Sequence, residues 1–355
     1  MRIGIVFHKN PFAPPTGIDL VRLRAISSGL IRKGITAEIV APAGREGMIE
    51  DAVPVRRLEA LGEAGRYDLV KTCYHDSILL IERYRGPVVS RIVRVVDREL
   101  PERDGPFREK LLRCQALIRD RASAVVLNNV ENRERWKNFY GGELLTALIP
   151  TGCLAHIPFP GPNPYGAGER TLLFLGSLAA PRMVRMLNQA ARLLRNRVRV
   201  HLVGMNKAKL YGGAEKDCTL DPLIIDHGEL PEGRVWDYIL HANVGLALAA
   251  GPHAFDNDVS KILNYLRGGL PSVSEEPVLT NQLIRRTGFG RIFAFGDVEK
   301  LVSNVLDLIE NPLTEKRDNV MRFMAAEHSW DKRVDAYVNL FRKILSSDGG
   351  SRCAR

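Results

Sequence analysis

Short runs of apolar residues recur along the chain, separated by stretches in which apolar residues repeat every three or four positions. Such short runs are typical of buried strands, and the longer spacing is typical of amphipathic helices. The predicted strands of the first half are 2–7, 36–41, 68–73, 87–93, 123–129 and 145–150. Helices are predicted at 18–34, ending at Gly34, and at roughly 107–121 and 130–139. Strands of this all-apolar kind, alternating with helices, indicate an α/β fold with a parallel sheet covered on both faces.

The pattern breaks at 157–170, where four prolines and three glycines predict a linker. The alternation then starts again, with predicted strands at 171–176, 198–204, 223–228, 244–250, 270–275 and 290–295. An amphipathic helix is predicted at 329–345. The chain therefore divides into an N-terminal Rossmann-like domain (1–156), the linker (157–170), a C-terminal Rossmann-like domain (171–328), a C-terminal helix (329–346) and a frayed tail (347–355).

Composition narrows the function classes. The 355 residues carry a formal net charge of +10, which suits a phosphorylated ligand, an anionic membrane surface or nucleic acid, or is merely a basic surface. Nucleic acid is the weakest of these, because the basic residues are interleaved with acids and no aromatic-rich basic strand appears. The five scattered cysteines have no metal-binding spacing and indicate reduced thiols. Without a signal peptide or a membrane span, we expect a cytoplasmic protein that meets a membrane, if at all, from its inner surface.

The familiar catalytic fingerprints are missing from the sequence. No GxGxxG follows the first strand, and no P-loop, HExxH or nucleophile elbow occurs. A dehydrogenase interpretation therefore loses its main support.

The stretch "DNDVSKILNYLRGGLP" (256–271) is the strongest candidate for chemistry. It follows a predicted strand on the carboxyl side, where ligands bind in open α/β sheets. Asp258 or Ser260 is a natural helix N-cap. Lys261 opposes the helix dipole in the first turn, which favours an anion at this position over a merely solvated lysine. A metal-binding pair, Asp256 and Asp258, is the less favoured alternative, because capping accounts for one of the two carboxylates.

At this point the sequence resembles a family. The run "NYLRGGLPSV" (264–273) resembles the EAxxxGxPVV stretch of the family-four group of retaining glycosyltransferases, which have two Rossmann-like domains (the GT-B class). Further matches in order are "IPTG" (149–152), "LGSLAAPRMVRML" (175–187), "VHLVG" (200–204), "HGELPEGRVWDYILHANVGLALA" (227–249) and the helix after Ser329. The resemblance covers nearly the whole chain. It implies two doubly wound domains facing across a cleft, with the C-terminal helix crossing back to the first domain.

The resemblance also implies roles for residues of the donor site. The family carries two glutamates eight positions apart, which contact the donor sugar and the ribose. Asp256 and Asn264 stand at those positions here, and an amide binds ribose hydroxyls more weakly than a carboxylate. Ser260 and Lys261 resemble a Ser-Lys pair of some members.

The diphosphate is the next part of the implied donor site. The family's arginine position is Ser177, beside Gly176, and Arg182 lies near its lysine position. Arg182 and Lys261 would stabilise a diphosphate leaving group without a metal, through a transition state resembling an oxocarbenium ion. The alternative for Arg182 is an exposed helix arginine.

On the acceptor side, the turn "PPTG" (14–17) resembles the family's glycine-containing loop, and Thr16 and Gly17 are its candidates. The family's histidine is missing from the strand at 87–93. His75, at another strand end, is a candidate, although a lone histidine is more often a packing residue.

The prediction is a retaining hexosyltransferase that uses a nucleotide diphosphate sugar, no metal, and a glycan or lipid-linked hydroxyl acceptor. The alternatives are a catalytically impaired scaffold or sugar-binding protein, and a nucleotide-sugar epimerase of the non-NAD type.

Overall fold

The structure is a computed structural model that describes residues 1–14, 17–50, 52–96, 105–208, 218–252 and 260–351. The chain divides into two compact units. The N-terminal unit comprises Met1–Thr151 together with Trp330–Arg355, and the C-terminal unit comprises Gly152–Ser329.

The N-terminal unit contains an eight-stranded sheet. Its strands are β1 (Arg2–Val6), β2 (Thr36–Val40), β3 (Gly47–Ile49), β4 (Val53–Arg56), β5 (Leu69–Thr72), β6 (Val88–Ile92), β7 (Ala124–Leu127) and β8 (Leu145–Leu148). The order across the sheet is β3-β4-β2-β1-β5-β6-β7-β8. All pairs are parallel except β3 with β4. Strands β5, β6 and β7 are buried along their whole length, as a parallel sheet between helices requires.

Helices cover this sheet. They are α1 (Ile18–Arg32), α2 (Gly105–Arg121) and α3 (Val130–Tyr140), and a short 3-10 helix spans His75–Leu80. The C-terminal helix of the chain, numbered α10 below, packs against α1. The contact is close, because a Cβ added to Gly29 of α1 would lie 2.5 Å from a Val334 side-chain atom. Arg32 of α1 also pairs with Asp331 at 2.8 Å.

The C-terminal unit contains a six-stranded, all-parallel sheet. Its strands are β9 (Thr171–Leu175), β10 (Arg199–Val203), β11 (Ile224–Asp226), β12 (Val244–Ala247), β13 (Ser272–Glu275) and β14 (Gly290–Phe293). The order is β11-β10-β9-β12-β13-β14. The first strand of the unit is therefore central, and the direction of winding reverses between β9 and β12.

Its helices are α4 (Pro181–Leu194), α5 (Glu232–His241), α6 (Lys261–Arg267), α7 (Asn281–Thr287), α8 (Val298–Glu310) and α9 (Arg317–His328). Helix α4 begins at a proline, which suits the first helical position because its missing N–H would have no partner there. Apolar side chains of α4, the sheet and α8 form one core, with Leu187, Phe174 and Leu301 inaccessible to solvent.

The predicted α/β fold with two doubly wound sheets is confirmed. Three local details differ from the sequence analysis. The pair β3 and β4 was not predicted. Residues 157–170 contain no helix or strand and pack against α5, where Gly161 N–H donates to Asp237 at 2.8 Å and Tyr165 donates to Tyr238 O at 2.9 Å. Helix α10 (Trp330–Ser351) continues beyond its predicted end at 346.

The C-terminal unit is inserted between two parts of the N-terminal unit. The segments at its start and end lie side by side, because Cys153 N–H donates to His328 O at 2.9 Å and Cys153 forms a bridge with Ser329. The four described cysteines are buried and form no disulfide.

Candidate functional site

The carboxyl ends of β9 and β12 mark the switch point of the C-terminal sheet. The two strands are paired, but the connections that leave their carboxyl ends lead to opposite halves of the sheet, which opens a crevice where ligands bind. Here β9 ends at Leu175 and is followed by Gly176 and Ser177, both half-buried. The structure thus places two of the predicted donor residues at the switch point.

Backbone atoms form the floor beside β9. Gly176 has a φ of 94°, and its N–H donates to Val203 O at 2.8 Å. Gly204, after β10, has a φ of 144°, and a Cβ there would lie 2.1 Å from Gly176 O. Only glycine permits this approach, so the two loops meet without side chains between them.

Lys261 is the first residue of α6 and lies next to this floor. Only 8% of its surface is exposed. Its Nζ lies 3.7 Å from the centroid of the Phe174 ring, and a Cβ added to Gly176 would lie 3.9 Å from its Cε. The solvated surface lysine weighed in the sequence analysis is therefore excluded.

The charge of Lys261 has no partner in the described part of the chain. Among the described residues no salt bridge reaches it, and the ring face of Phe174 offers only a cation–π contact. Burial lowers the pKa of Lys261 to about 7. An anion placed beside this amine would favour its protonated form, because opposite charges within a few ångströms raise the pKa of a cation.

Ser260 and Asn264 flank Lys261. Ser260 occupies the N-cap position with a helical backbone, and its side chain makes no capping hydrogen bond. Asn264 lies one turn further and is half-buried. Neither side chain has a hydrogen-bond partner among the described residues, so both are available to a ligand. Asp256 and Asp258, the other candidates of this stretch, lie outside the described residues.

Arg182 has a partner that the sequence analysis did not foresee. Its two terminal nitrogens bind the carboxylate of Glu275 at 2.9 and 2.5 Å, and the guanidinium stacks 3.9 Å from the Phe295 ring. Glu275 is completely buried at the end of β13 and also accepts from the N–H groups of Ala249 and Gly296, each at 2.8 Å. Arg182 is neither exposed nor unpaired, and its predicted contact with a diphosphate stays a prediction.

Tyr265, which the sequence analysis missed, fixes α6 to the switch point. Its hydroxyl accepts from Leu175 N–H at 2.8 Å and lies 3.1 Å from Leu173 O and 3.2 Å from Leu246 O. A Cβ added to Gly245 of β12 would lie 2.5 Å from the Tyr265 ring, so glycine makes room for it. Tyr265 thus fills the gap between the two strands and holds the helix that carries Lys261. A tyrosine on the apolar face of that helix was the feature of the sequence that could have indicated this buried contact.

On the N-terminal unit, Gly17 is the N-cap of α1 with an extended backbone and open space around its α-carbon, while Thr16 lies outside the described residues. His75 begins the 3-10 helix after β5 and is buried. Its Nε2 lies 3.2 Å from Asp76 Oδ1, and its Nδ1 has no hydrogen-bond partner among the residues that the structure describes. Burial lowers the pKa of His75 to about 4, so the ring is neutral at pH 7.

His8 is a second histidine near this edge that the sequence analysis passed over. It follows β1, its Nδ1 lies 3.4 Å from Ser77 Oγ, and burial lowers its pKa. Its position just after the first strand was the feature of the sequence that could have indicated a candidate site residue. Neutral imidazoles such as His8 and His75 can accept a proton from a hydroxyl.

A chain of hydrogen bonds crosses the C-terminal unit away from the switch point. Tyr238 hydroxyl lies 3.1 Å from His227 Nδ1, His227 Nε2 lies 2.9 Å from His201 Nδ1, and His201 Nε2 lies 2.8 Å from Glu169. All of these contacts are hydrogen bonds only if both rings are neutral and carry their hydrogen on Nε2. His227 then donates to His201, and His201 donates to Glu169. Burial lowers the pKa of both histidines, in keeping with this arrangement.

Among the described residues, no group of three His, Cys, Asp or Glu side chains could hold a metal ion. No described helix is long and apolar enough to cross a membrane.

Comparisons with known proteins come from structure alone, since no family model and no curated protein matches the sequence. Sucrose-phosphate synthase from Thermosynechococcus elongatus is similar to this chain with a TM-score of 0.74 and 13% identity, over 98% of this chain and 99% of its own. HepE from Anabaena, in complex with UDP-glucose, has a TM-score of 0.70 and 16% identity, over 98% and 100%. The lipopolysaccharide outer core galactosyltransferase WaaB has a TM-score of 0.61 and 12% identity, over 97% and 100%. At these identities the similarity shows the fold, and the chain therefore has the GT-B fold of glycosyltransferases.

Proposed function

We propose that the protein transfers a hexose from a nucleotide diphosphate sugar to a hydroxyl acceptor, with retention of the anomeric configuration. The observation that carries this proposal is Lys261, a buried cation beside the switch point of the C-terminal sheet that has no ion-pair partner among the described residues. A nucleotide sugar releases a diphosphate, whose developing negative charge needs a nearby cation in a site that excludes water.

The pKa of Lys261 fits this task. Without a ligand, burial holds its pKa at about 7, so the amine is partly neutral. A bound diphosphate would draw a proton onto the amine, and the charge would then stabilise the leaving group as the glycosidic bond breaks. No metal ion is required in this scheme, which we propose as the metal-independent route.

Other residues complete the proposed donor site. The unpartnered amide of Asn264 would bind the ribose, with Ser260 beside it, while Gly176 and Ser177 would lie against the diphosphate. We assign the donor sugar to Asp256 from the family resemblance. HepE binds UDP-glucose according to its structure, which favours a uridine nucleotide as the first donor to test.

The acceptor, a glycan or lipid-linked hydroxyl, would bind to the N-terminal unit near Gly17 and His75. A buried neutral His75 can accept a proton from such a hydroxyl. We keep the proposed location as cytoplasmic, with peripheral contact at the inner face of a membrane if the acceptor is lipid-linked.

The test is direct binding and turnover. Calorimetry with UDP and a panel of nucleotide sugars should detect binding that Lys261→Met weakens and that survives a metal chelator. Slow hydrolysis of one donor, followed by proton NMR of the released sugar, should give the anomer with the donor's configuration first.

Three outcomes would redirect the assignment. No binding of any nucleotide sugar would reject it. Binding without turnover across an acceptor panel would favour the scaffold or sugar-binding alternative, which the substitution of Asn264 for the family's glutamate already motivates. Free UDP released with an altered sugar would favour an epimerase.

A further inference from the structure

Three cations are buried together in the N-terminal unit. Lys71 lies in β5, Arg91 in β6 and Arg22 in α1, and their exposed fractions are 1%, 1% and 5%. They meet around Tyr337 of α10: Lys71 Nζ lies 5.0 Å from its ring centroid and Arg91 donates to its hydroxyl at 3.5 Å. We call Arg22, Lys71 and Arg91 the cation cluster.

Among the described residues the cluster has little counter-charge. The only carboxylate that reaches it among the described residues is Asp19, 3.6 Å from Arg22, and Asp19 is shared with Lys9 at 3.0 Å. Arg91 donates to Ile149 O at 2.8 Å. Buried charges are normally paired, because an unpaired one loses its hydration without compensation.

Donor groups in the cluster are also unused. In the described part of the chain, Arg91 Nε and Nη2 and Arg22 Nε are buried and have no hydrogen-bond partner. The nearest acceptors of Lys71 are distant, with Thr72 O at 3.4 Å and Cys73 Sγ at 3.8 Å. A purely structural role for these side chains would leave such donors unsatisfied, whereas apolar residues could fill the space at lower cost.

The pKa shifts around Tyr337 agree with an excess of positive charge in the cluster. Burial alone would raise the pKa of Tyr337, yet Lys71, Arg91 and Arg22 together lower it. Burial, and then the charge of Arg91, lowers the pKa of Arg22. The interior around Tyr337 therefore has a strongly positive potential that favours an anion.

The cluster lies towards the carboxyl edge of the N-terminal sheet. Lys71 is one residue from the end of β5, Arg91 is one residue from the end of β6, and Arg22 is in the second turn of the helix that follows β1. This is the edge where an open parallel sheet binds ligands. Asp19, with a fifth of its side chain exposed, marks the side open to solvent.

We propose that the cation cluster binds a phosphate group carried by the acceptor. A phosphate dianion matches the excess of positive charge better than a single carboxylate does, and its three free oxygens can accept from the unused nitrogens. This assignment builds on the proposed transferase function, because it names the chemical class of its acceptor. The phosphate belongs either to a soluble sugar phosphate or to a lipid headgroup.

The first experiment measures phosphate binding without the donor site. Thermal unfolding of the Lys261→Met protein is followed with increasing inorganic phosphate, and again after adding Lys71→Met. Lys33→Met, which removes an exposed lysine of the same unit, serves as the control. We expect phosphate to raise the midpoint in the Lys261→Met and control proteins, and Lys71→Met to weaken the apparent affinity about tenfold or more.

The free protein gives a second readout. If the cluster binds an anion, adding Lys71→Met to the Lys261→Met protein should leave the phosphate-free protein at least as stable, because one buried repulsive charge is removed. A less stable Lys71→Met protein that ignores phosphate would overturn the proposal, because its amine would then have a partner within the chain.

The second experiment distinguishes the two sources of phosphate. With an active donor, glucose 6-phosphate is compared with glucose as acceptor, and phosphatidic acid vesicles with phosphatidylcholine vesicles for binding. We expect either glucose 6-phosphate to be preferred over glucose, or phosphatidic acid to be preferred over phosphatidylcholine. Lys71→Met should lower that preference about tenfold while UDP binding remains. Equal transfer to glucose 6-phosphate and glucose, together with equal binding of both kinds of vesicle, would reject the phosphate site. If the wild-type protein does not bind UDP, the transferase function itself is rejected instead.

Discussion

Replacing Lys261 by methionine should make the protein more stable and its donor binding weaker. The two effects have one cause, the burial beside Gly176 of a cation that no described residue neutralises. Methionine has a similar length and no charge, and its sulfur can keep a contact with the Phe174 ring.

The size of the stability change follows from the pKa. Burial lowers it from 10.5 to about 7. Each pKa unit corresponds to about 1.4 kcal/mol, so keeping this buried amine in the folded state costs about 4 kcal/mol at pH 7. The cation–π contact that is lost with the charge offsets about 2 kcal/mol. The expected net gain in the free energy of unfolding is therefore about 2 kcal/mol.

The sign of the pH dependence is also fixed. Because the folded-state pKa lies below the unfolded-state value, the unfolded chain binds more protons between about pH 7 and pH 10.5. The cost of Lys261 is therefore largest below pH 7 and disappears as the pH rises through this window. The advantage of Lys261→Met over the wild type should shrink in parallel.

Urea unfolding of both proteins at several pH values measures the stability, and calorimetry measures UDP binding. Losing a charge-assisted contact to the diphosphate should weaken UDP binding at least about tenfold. Lys300 is the matched control, since it is an exposed lysine in the first turn of α8, and Lys300→Met should change the free energy of unfolding by less than about 0.5 kcal/mol. A Lys261→Met protein less stable than the wild type, with unchanged UDP affinity, would refute the reasoning on both counts.

Three further changes test the surrounding structure. Tyr265→Phe leaves buried backbone groups without their partner and should cost about 1–3 kcal/mol in urea unfolding while lowering UDP affinity; an unchanged affinity would mean that Tyr265 does not position α6. Glu275→Gln removes one charge of the buried pair with Arg182 and should cost about 3–5 kcal/mol, whereas restored stability in the double variant with Arg182→Met would confirm the pairing and its absence would contradict it. Because burial lowers the pKa of His201 and His227 below the unfolded-state value near 6.5, the unfolded chain binds more protons below that value and stability should fall as the pH is lowered through it; a His227→Gln protein with the same fall would show that these rings do not cause it.

The sheets were predictable because their strands are buried on both faces. A segment such as Ala124–Leu127, buried along its whole length, is continuously apolar, and this run of apolar residues predicts a strand of a parallel sheet. The pair β3 and β4 escaped notice because Gly47–Ile49 is only three residues long and β4 contains Pro54. Short strands at the edge of a sheet carry little periodic signal.

The candidate site was only partly predictable. The position of Lys261 follows from local rules, since a cation at a helix start conflicts with the dipole. The partner of Arg182 does not, because Glu275 lies 93 residues away and only the fold brings the two together. The cation cluster was missed for the same reason. Lys71 and Arg91 each lie alone in an apolar strand, and only the pairing of β5 with β6 brings the two charges together.

The inserted position of the C-terminal unit bears on how the protein is made. Residues 152–329 form a continuous stretch and can fold as soon as they leave the ribosome, whereas the N-terminal unit waits for α10 to cover α1. Gly29 of α1 is shaped to receive Val334, so a nascent chain that stops before residue 330 leaves an apolar groove uncovered. The part of the N-terminal unit that is synthesised first is thus completed last, and premature termination or a slow codon before residue 330 should expose it to chaperones and proteases.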